Sequence, residues 1–266
     1  MSTDTVADTD AVALDKVAAS AAAAVADIPD GVSLAVGGFG LAGIPWFLIE
    51  ALLEQGAGEL TIVSNNCGVD GAGLGLLLEA RRISRVIASY IGENKEFGRQ
   101  FLAGEVTVEL TPQGTLAERL RAGGSGIGAF YTPTGVGTLV SEGGLPWRYH
   151  PDGTVAVASP PKEVRSFGGT EMVLEEAIVT DYALIRAAVV DRAGNCCFHA
   201  AARNFNPPAA MAGRITIVEA ERVVEVGELG PDQIHLPGIF VDRIVELSPD
   251  QAARKEIEQR TIRERP

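Results

Sequence analysis

The sequence predicts an α/β protein: an open, mostly parallel sheet with helices on both faces and a β-rich second half. Three observations carry this. Between residue 32 and about residue 122, short apolar runs alternate with stretches of helical periodicity, the pattern of strands joined by helical crossovers. After residue 150 the runs become β-branched and more closely spaced. Hydrophobic residues make up 46% of the 266-residue chain and charged residues 21%, which suits a packed core. One domain over 11–266 is the expectation, behind a disordered acidic N-terminus, MSTDTVADTD (1–10).

In chain order, residues 11–26 are alanine-rich with apolar positions at helical spacing and read as a first helix. Asp30-Gly31 turns the chain into a strand at 32–36. A glycine-rich turn follows, and Pro45 stands where a helix start tolerates it, because that N–H has no partner anyway. The helix runs to about Gln55. Strand 60–64 leads into the polar turn NNCG (65–68) and a glycine-containing helix start near 71–80. Strand 85–89, a helix over 94–103 and strand 106–110 continue the alternation. TPQGT (111–115) reads as a strand-to-helix turn and LAERLRA as the helix after it. Residues 123–147 are glycine- and aromatic-rich, and their length argues for a functional segment. In the second half TVAVA, DYALIRAAVVD, CCFHA and RITIVEAERVVEV read as strands, with RAGN (192–195) as a turn between two of them. DQAARKEIEQRTIRE reads as a charged terminal helix. The sequence shows no internal repeat and no low-complexity linker.

Net charge is −13, from 35 acidic and 22 basic residues, which argues against nucleic acid and anionic membrane as partners. Three cysteines, two of them adjacent (Cys196, Cys197), read as reduced thiols in a cytoplasmic setting. The three histidines are scattered with no metal-ligand spacing, so no metal site is expected. The N-terminus lacks the basic start and apolar stretch of a signal peptide. No window reaches 18 uninterrupted apolar residues.

Within VGGFGLAGIP (36–45), Gly38 to Gly43 fits G-x-G-x-x-G, the turn that cradles a dinucleotide pyrophosphate. Such a site also needs an acidic residue at the tip of the next strand to hold the ribose. Here that strand ends in Ser64-Asn65-Asn66, and the nearest carboxylate, Asp70, lies past the turn. The glycine turn therefore reads either as a close-packing turn or as a site for another anion or acyl group at a helix start.

Longer motifs then become legible. The stretch DGVSLAVGGFGLAGIP (30–45), with SNNCGVDGAGLG, SYIGENKEF, GEVTVELTPQGTLAERLRAGG, FYTPTGVGTLVSEGG, ARNFNPP and IEQRTIRE, resembles the A (alpha) subunit of family I coenzyme A transferases. The resemblance covers nearly the whole chain after about residue 14 and is strongest to the 3-oxoacid transferases. It implies a NagB/RpiA-like fold and transfer of CoA from succinyl-CoA to a 3-oxoacid such as acetoacetate. It also implies a B subunit, in an α2β2 assembly, that carries the nucleophilic glutamate in a Ser-Glu-Asn-Gly motif. This chain has only Gly92-Glu93-Asn94, where A-type chains carry their own GEN, so Glu93 is not that nucleophile; it reads as a carboxylate capping or facing the helix that begins near 94, with a supporting role in the site as the alternative.

Acyl transfer passes through tetrahedral oxyanions, which preset hydrogen-bond donors stabilise. Asn65, Asn66 and Gln113 are amides at strand-to-helix turns, where ligand crevices form in open α/β sheets. The resemblance makes them acyl-group donors; turn chemistry and capping are the plainer alternative. It makes Gly37, Gly38, Phe39, Gly40, Leu41, Ala42 and Gly43 the segment for the CoA thioester substrate, with no permanently bound cofactor. Phe39 lines that channel or packs in the core. Arg203–Asn206 has no assigned role beyond subunit contact or turn, and Cys67 reads as small filler. Alternatives that the sequence leaves open are 3-oxoadipate or a short-chain fatty acid as acceptor, or a non-catalytic ligand-binding module on the same fold.

Overall fold

The run after the Asp30-Gly31 turn pairs on both sides and so becomes the middle of a sheet. In a computed structural model that describes residues 15–92 and 94–255, strand Ser33–Val36 (β1) pairs in parallel with Leu60–Val63 (β2) and with Thr180–Ala187 (β5). Beyond β2 lie Ile83–Ala88 (β3) and Thr107–Leu110 (β4); beyond β5 lie Gly213–Ala220 (β6) and Arg243–Glu246 (β7). The seven strands run in the order β7-β6-β5-β1-β2-β3-β4.

Two-residue periodicity splits the core into two layers. Tyr182, Leu34, Ile62, Val86 and Val108 are register partners in one row. Their side chains share a cluster with Val25 of α1 (Ala21–Val25), Leu48 and Leu52 of α2 (Trp46–Gln55), Leu77 of α3 (Gly75–Glu79) and Phe97 of α4 (Lys95–Leu102). One residue along, Ala183, Ala35, Val63 and Ile87 face the opposite layer. There Leu116 and Leu120 of α5 (Gln113–Gly124) and Ala209 and Ala210 of α6 (Asn206–Ala212) cover them. The helix α2 stops at Gly56, whose left-handed φ of 98° lets its N–H close back on Leu52 O.

The expected first helix is shorter than its alanine content suggests. Lys16 and Ala18 instead add to the edge of the sheet, exchanging backbone bonds with Ile244, and among the described residues of that span, 15–26, Ala21–Val25 is helical, capped by the Ser20 hydroxyl. An unpaired sheet edge outweighs helix propensity here, since propensity is a weak prior. The expectations for residues 1–10, for Glu93 and for the terminal helix beyond Lys255 fall outside the described residues.

Residues 123–177 build a small antiparallel lobe. Ala129–Thr132 and Val164–Phe167 flank Thr170–Glu176, and Pro146–Tyr149 forms a hairpin with Val155–Ala158. Arg119 of α5 fastens this lobe to the sheet. Its Nη1 donates to Glu109 of β4 (2.7 Å) and its Nε to the Glu176 carbonyl (2.7 Å). RAGN is a turn between two short antiparallel strands, Val189–Asp191 and Cys196–Cys197, and the Asp191 carboxylate accepts from the Ala193 and Asn195 N–H groups.

Candidate functional site

The strand order reverses beside β1: β2, β3 and β4 lie to one side, and β5, β6 and β7 to the other. Such a switch point opens a crevice at the carboxyl ends of the strands. The glycine turn leaves β1 at that place. It is closed by a pair of backbone bonds between Phe39 and Ala42, and Gly38, Gly40 and Gly43 take φ values of 109°, 59° and 67°.

The glycines serve two different ends. A Cβ on Gly37 would lie 2.0 Å from the Asn206 Oδ1, and one on Gly43 would lie 2.6 Å from the Ala202 carbonyl oxygen. Both are packing glycines. Gly40 has nothing within 4 Å of that position and faces open space. The residues behind the turn come from ARNFNPP. Asn206, fully buried, donates to the Gly43 and Ala202 carbonyls and accepts from Arg186 N, while Asn204 donates to the Ala42 carbonyl. Asn204 and Asn206 of this patch thus hold the glycine turn from behind. We expect Gly37→Ala to lower stability by about 1–3 kcal/mol, the range for overpacking a filled site. Denaturant unfolding with an unchanged midpoint would remove the packing argument.

A similar bridged turn follows β2. Gly68-Val69-Asp70-Gly71-Ala72-Gly73-Leu74 matches Gly38-Phe39-Gly40-Leu41-Ala42-Gly43-Ile44, with the Val69–Ala72 bridge in place of Phe39–Ala42. The two turns differ in type: the positive φ inside the bridge falls on Gly40 (59°) in the first and on Gly71 (70°) in the second. Asp70 turns away from the crevice: its carboxylate accepts from Glu96 N at the start of α4. The cap of α4 is Asn94, whose Oδ1 accepts from Phe97 N.

The start of α2, expected to offer free N–H groups to an anion, is already occupied. Glu219 of β6, fully buried, accepts from Phe47 N (2.9 Å) and Leu48 N (3.0 Å), and its other oxygen meets Arg186 Nη1 at 3.3 Å. Burial pushes the Glu219 carboxyl up to about 7, against the opposing pull of Arg186 and the helix N–H groups.

On the open side of the turn lies a cavity of about 330 Å³ lined by Phe39, Gly40, Asn65, Asn66, Ser89, Tyr90 and Gln113. The loops after β1, β2, β3 and β4 each contribute. Asn65, Asn66 and Gln113, separated by up to 48 positions in sequence, form one bonded group. Gln113 Nε2 donates to Asn65 Oδ1 (2.7 Å), the Ser89 hydroxyl lies 2.8 Å from the same oxygen, and Asn66 Oδ1 accepts from Gly40 N (3.0 Å). Gln113 is the first residue of α5. Phe39 is 49% exposed, so it stands at the rim and not in the core. Gly37, Gly38, Leu41, Ala42 and Gly43 are not among the lining residues. Ser89, Tyr90 and Glu219 were not anticipated, although SYIGENKEF had marked the segment of the first two; Asn204 and Asn206 had been named within Arg203–Asn206 without a ligand role. Cys67 packs in the core, and burial pushes its thiol far above the usual range, as suits a filler.

Among the described residues that line the cavity there is no carboxylate, thiol or imidazole. The described lining holds amide and hydroxyl groups, glycine backbone and two exposed aromatic rings.

A family model described as Coenzyme A transferase matches residues 18–247. A Mycobacterium bovis protein, named as the A chain of a probable succinyl-CoA:3-ketoacid coenzyme A transferase, is 62% identical over 251 residues, 94% of this chain and all of that one. The human mitochondrial succinyl-CoA:3-ketoacid coenzyme A transferase 2 is 53% identical over 238 residues; the match covers 90% of this chain and 46% of the human one, so the chain spans about half its length. Among solved structures, the apoenzyme of the Escherichia coli O157:H7 acyl-CoA transferase YdiF superimposes with a TM-score of 0.74 at 25% identity, over 90% of this chain and 48% of that one.

Proposed function

The chain belongs to the coenzyme A transferase family, and from that membership we propose that it is the A half of an enzyme moving CoA from succinyl-CoA to a 3-oxoacid such as acetoacetate. The observation that carries the reading is the cavity at the carboxyl ends of β1 to β4, rich in amide donors and without a carboxylate among its described lining residues. A partner B subunit brings a glutamate to it. The assembly is α2β2 and cytoplasmic, and the CoA thioester is a substrate and not a resident cofactor. Among the described residues no helix is long and apolar enough to cross a membrane.

The chemistry proceeds in exchanges at carbonyl carbon. The glutamate carboxylate attacks the succinyl thioester, the C–S bond breaks, and a mixed anhydride forms with release of CoA thiolate. The thiolate attacks the glutamyl carbonyl and releases succinate, leaving a glutamyl-CoA thioester. The 3-oxoacid carboxylate then repeats the sequence in reverse and regenerates the glutamate. Each attack places negative charge on one oxygen, and neutral amide donors stabilise that charge without pairing with the carboxylate nucleophile. The Asn65, Asn66 and Gln113 group fits that task, and Gly40 with Phe39 forms a wall that an acyl or pantetheine chain can approach closely. Occupation of the α2 start by Glu219 and the net charge of −13 both fit a partner that carries most contacts to the CoA phosphates.

Purification of the chain alone and with its B partner, followed by assay of acetoacetyl-CoA formation from succinyl-CoA, tests this. Activity is expected only in the complex; robust turnover by the isolated chain overturns the split site. Comparing kcat/KM for acetoacetate, 3-oxoadipate and short-chain fatty acids identifies the acceptor, with acetoacetate expected to lead.

A further inference from the structure

The orientation of the cavity amides is fixed by a single backbone group. Gly40 N–H can only donate, so the Asn66 atom 3.0 Å away is its carbonyl oxygen Oδ1; Asn66 Nδ2 then reaches the Gly68 carbonyl at 3.2 Å. The Asn65 amide lies 3.4 Å from Asn66 Oδ1. Two carbonyl oxygens at that separation would repel, so the Asn65 atom there is Nδ2. Its Oδ1 must then face Gln113 and Ser89, and both of them must donate to it. The polarity set at Gly40 N–H is passed through Asn66 and Asn65 to Gln113, whose carbonyl end is left turned away from Asn65.

Asn65 Nδ2 is the least satisfied donor of this bonded group, because 3.4 Å is beyond the usual N–H···O range. It belongs to a 3%-exposed residue that lines the cavity. What keeps that donor in place is the grip on the opposite oxygen. The Ser89 hydroxyl lies 2.8 Å from Asn65 Oδ1 and 3.0 Å from the Asn65 carbonyl oxygen, and its one proton is shared between them. The Ser89 N–H also donates to the same carbonyl at 3.0 Å. Gln113 provides the second grip at 2.7 Å, but from a longer side chain with more rotatable bonds.

We infer that Ser89 is a positioning residue: it locks the Asn65 carboxamide so that Nδ2 is presented to the oxygen that gains charge during acyl transfer. This rests on the transferase reading of the cavity. Ser89→Ala in the A–B complex is expected to lower kcat about tenfold, the size of one hydrogen bond near the upper end of its usual net value. KM for the acyl-CoA should stay within about twofold, since ground-state binding does not use the donor. Ser89→Thr, which keeps the hydroxyl, should recover most of the loss. In an Asn65→Ala background, Ser89→Ala should cost nothing further, because the group it positions is gone. A crystal structure of the Ser89→Ala complex should show the Asn65 carboxamide rotated or spread over two orientations. An unmoved carboxamide overturns the proposal whatever the activity, and so does wild-type kcat in the variant. Absence of 3-oxoacid transferase activity in the wild-type complex, with the carboxamide displaced as expected, would instead sink the transferase reading and leave the lock standing.

Discussion

Asn65→Ala in the assembled complex is expected to reduce kcat by about 10²–10³-fold, the usual cost of losing one preset oxyanion donor. The expectation is large because Asn65 is the hub of the cavity: Gln113 and Ser89 both donate to its Oδ1, and Asn66 faces its Nδ2. Truncation removes the donor and frees Gln113 to find other partners. Asn65→Asp should be no better, since a carboxylate would set a like charge against the nucleophile and an oxygen against Asn66 Oδ1. Steady-state kinetics with succinyl-CoA and acetoacetate, on complexes shown by gel filtration to be assembled, provide the measurement. Near-normal kcat in the alanine variant would take Asn65 out of the site.

Glu219→Ala is expected to destabilise the protein by about 3–5 kcal/mol, as when one partner of a buried ion pair is removed. Among the described residues Arg186, 3% exposed, would keep Glu221 and the Ala252 carbonyl, and Phe47 N and Leu48 N would lose their Glu219 acceptor. The effect reaches the cavity, because the freed helix start follows the glycine turn directly. Glu219 also gives stability a pH dependence. Its carboxyl lies near 7 when folded and at 4.5 ordinarily, so the folded state holds the proton more tightly. That contribution is full below about pH 4.5 and is lost as pH rises through about 7. Glu219→Gln keeps an acceptor for the helix and should flatten this part of the profile. Melting temperatures at pH 5 and pH 7.5 for wild type and variant decide the matter; parallel profiles would rule out Glu219 as the source.

Much of the fold was readable because its causes are local. Pro45 and Gly56 bracket α2 by backbone chemistry that depends on the residues themselves. The runs at Ser33–Val36 and Leu60–Val63 are apolar enough that burial on both faces follows. Asn65, Asn66 and Gln113 could be gathered in advance because carboxyl ends of parallel strands converge wherever the strands sit. Ser89 gave no comparable sign: a serine after a strand is ordinary until its hydroxyl is seen against Asn65. The likeness of the two glycine turns shows only in the structure, where the Val69–Ala72 bridge parallels Phe39–Ala42 although only Gly68, Ala72 and Gly73 keep the identities of Gly38, Ala42 and Gly43.

The sequence by itself determined the alternating architecture, the glycine turn after β1 and the amides that face the crevice, since each follows from periodicity, turn chemistry and motif. Only the tertiary structure decided what the turn is for. Asn206 reaches Gly43 across 163 positions and Glu219 reaches the start of α2 across 171. Contacts of that span exist only once β5 and β6 are laid beside β1. They turn an expected anion-binding helix start into a sealed one, and leave Gly40, Phe39 and Asn65 lining the crevice.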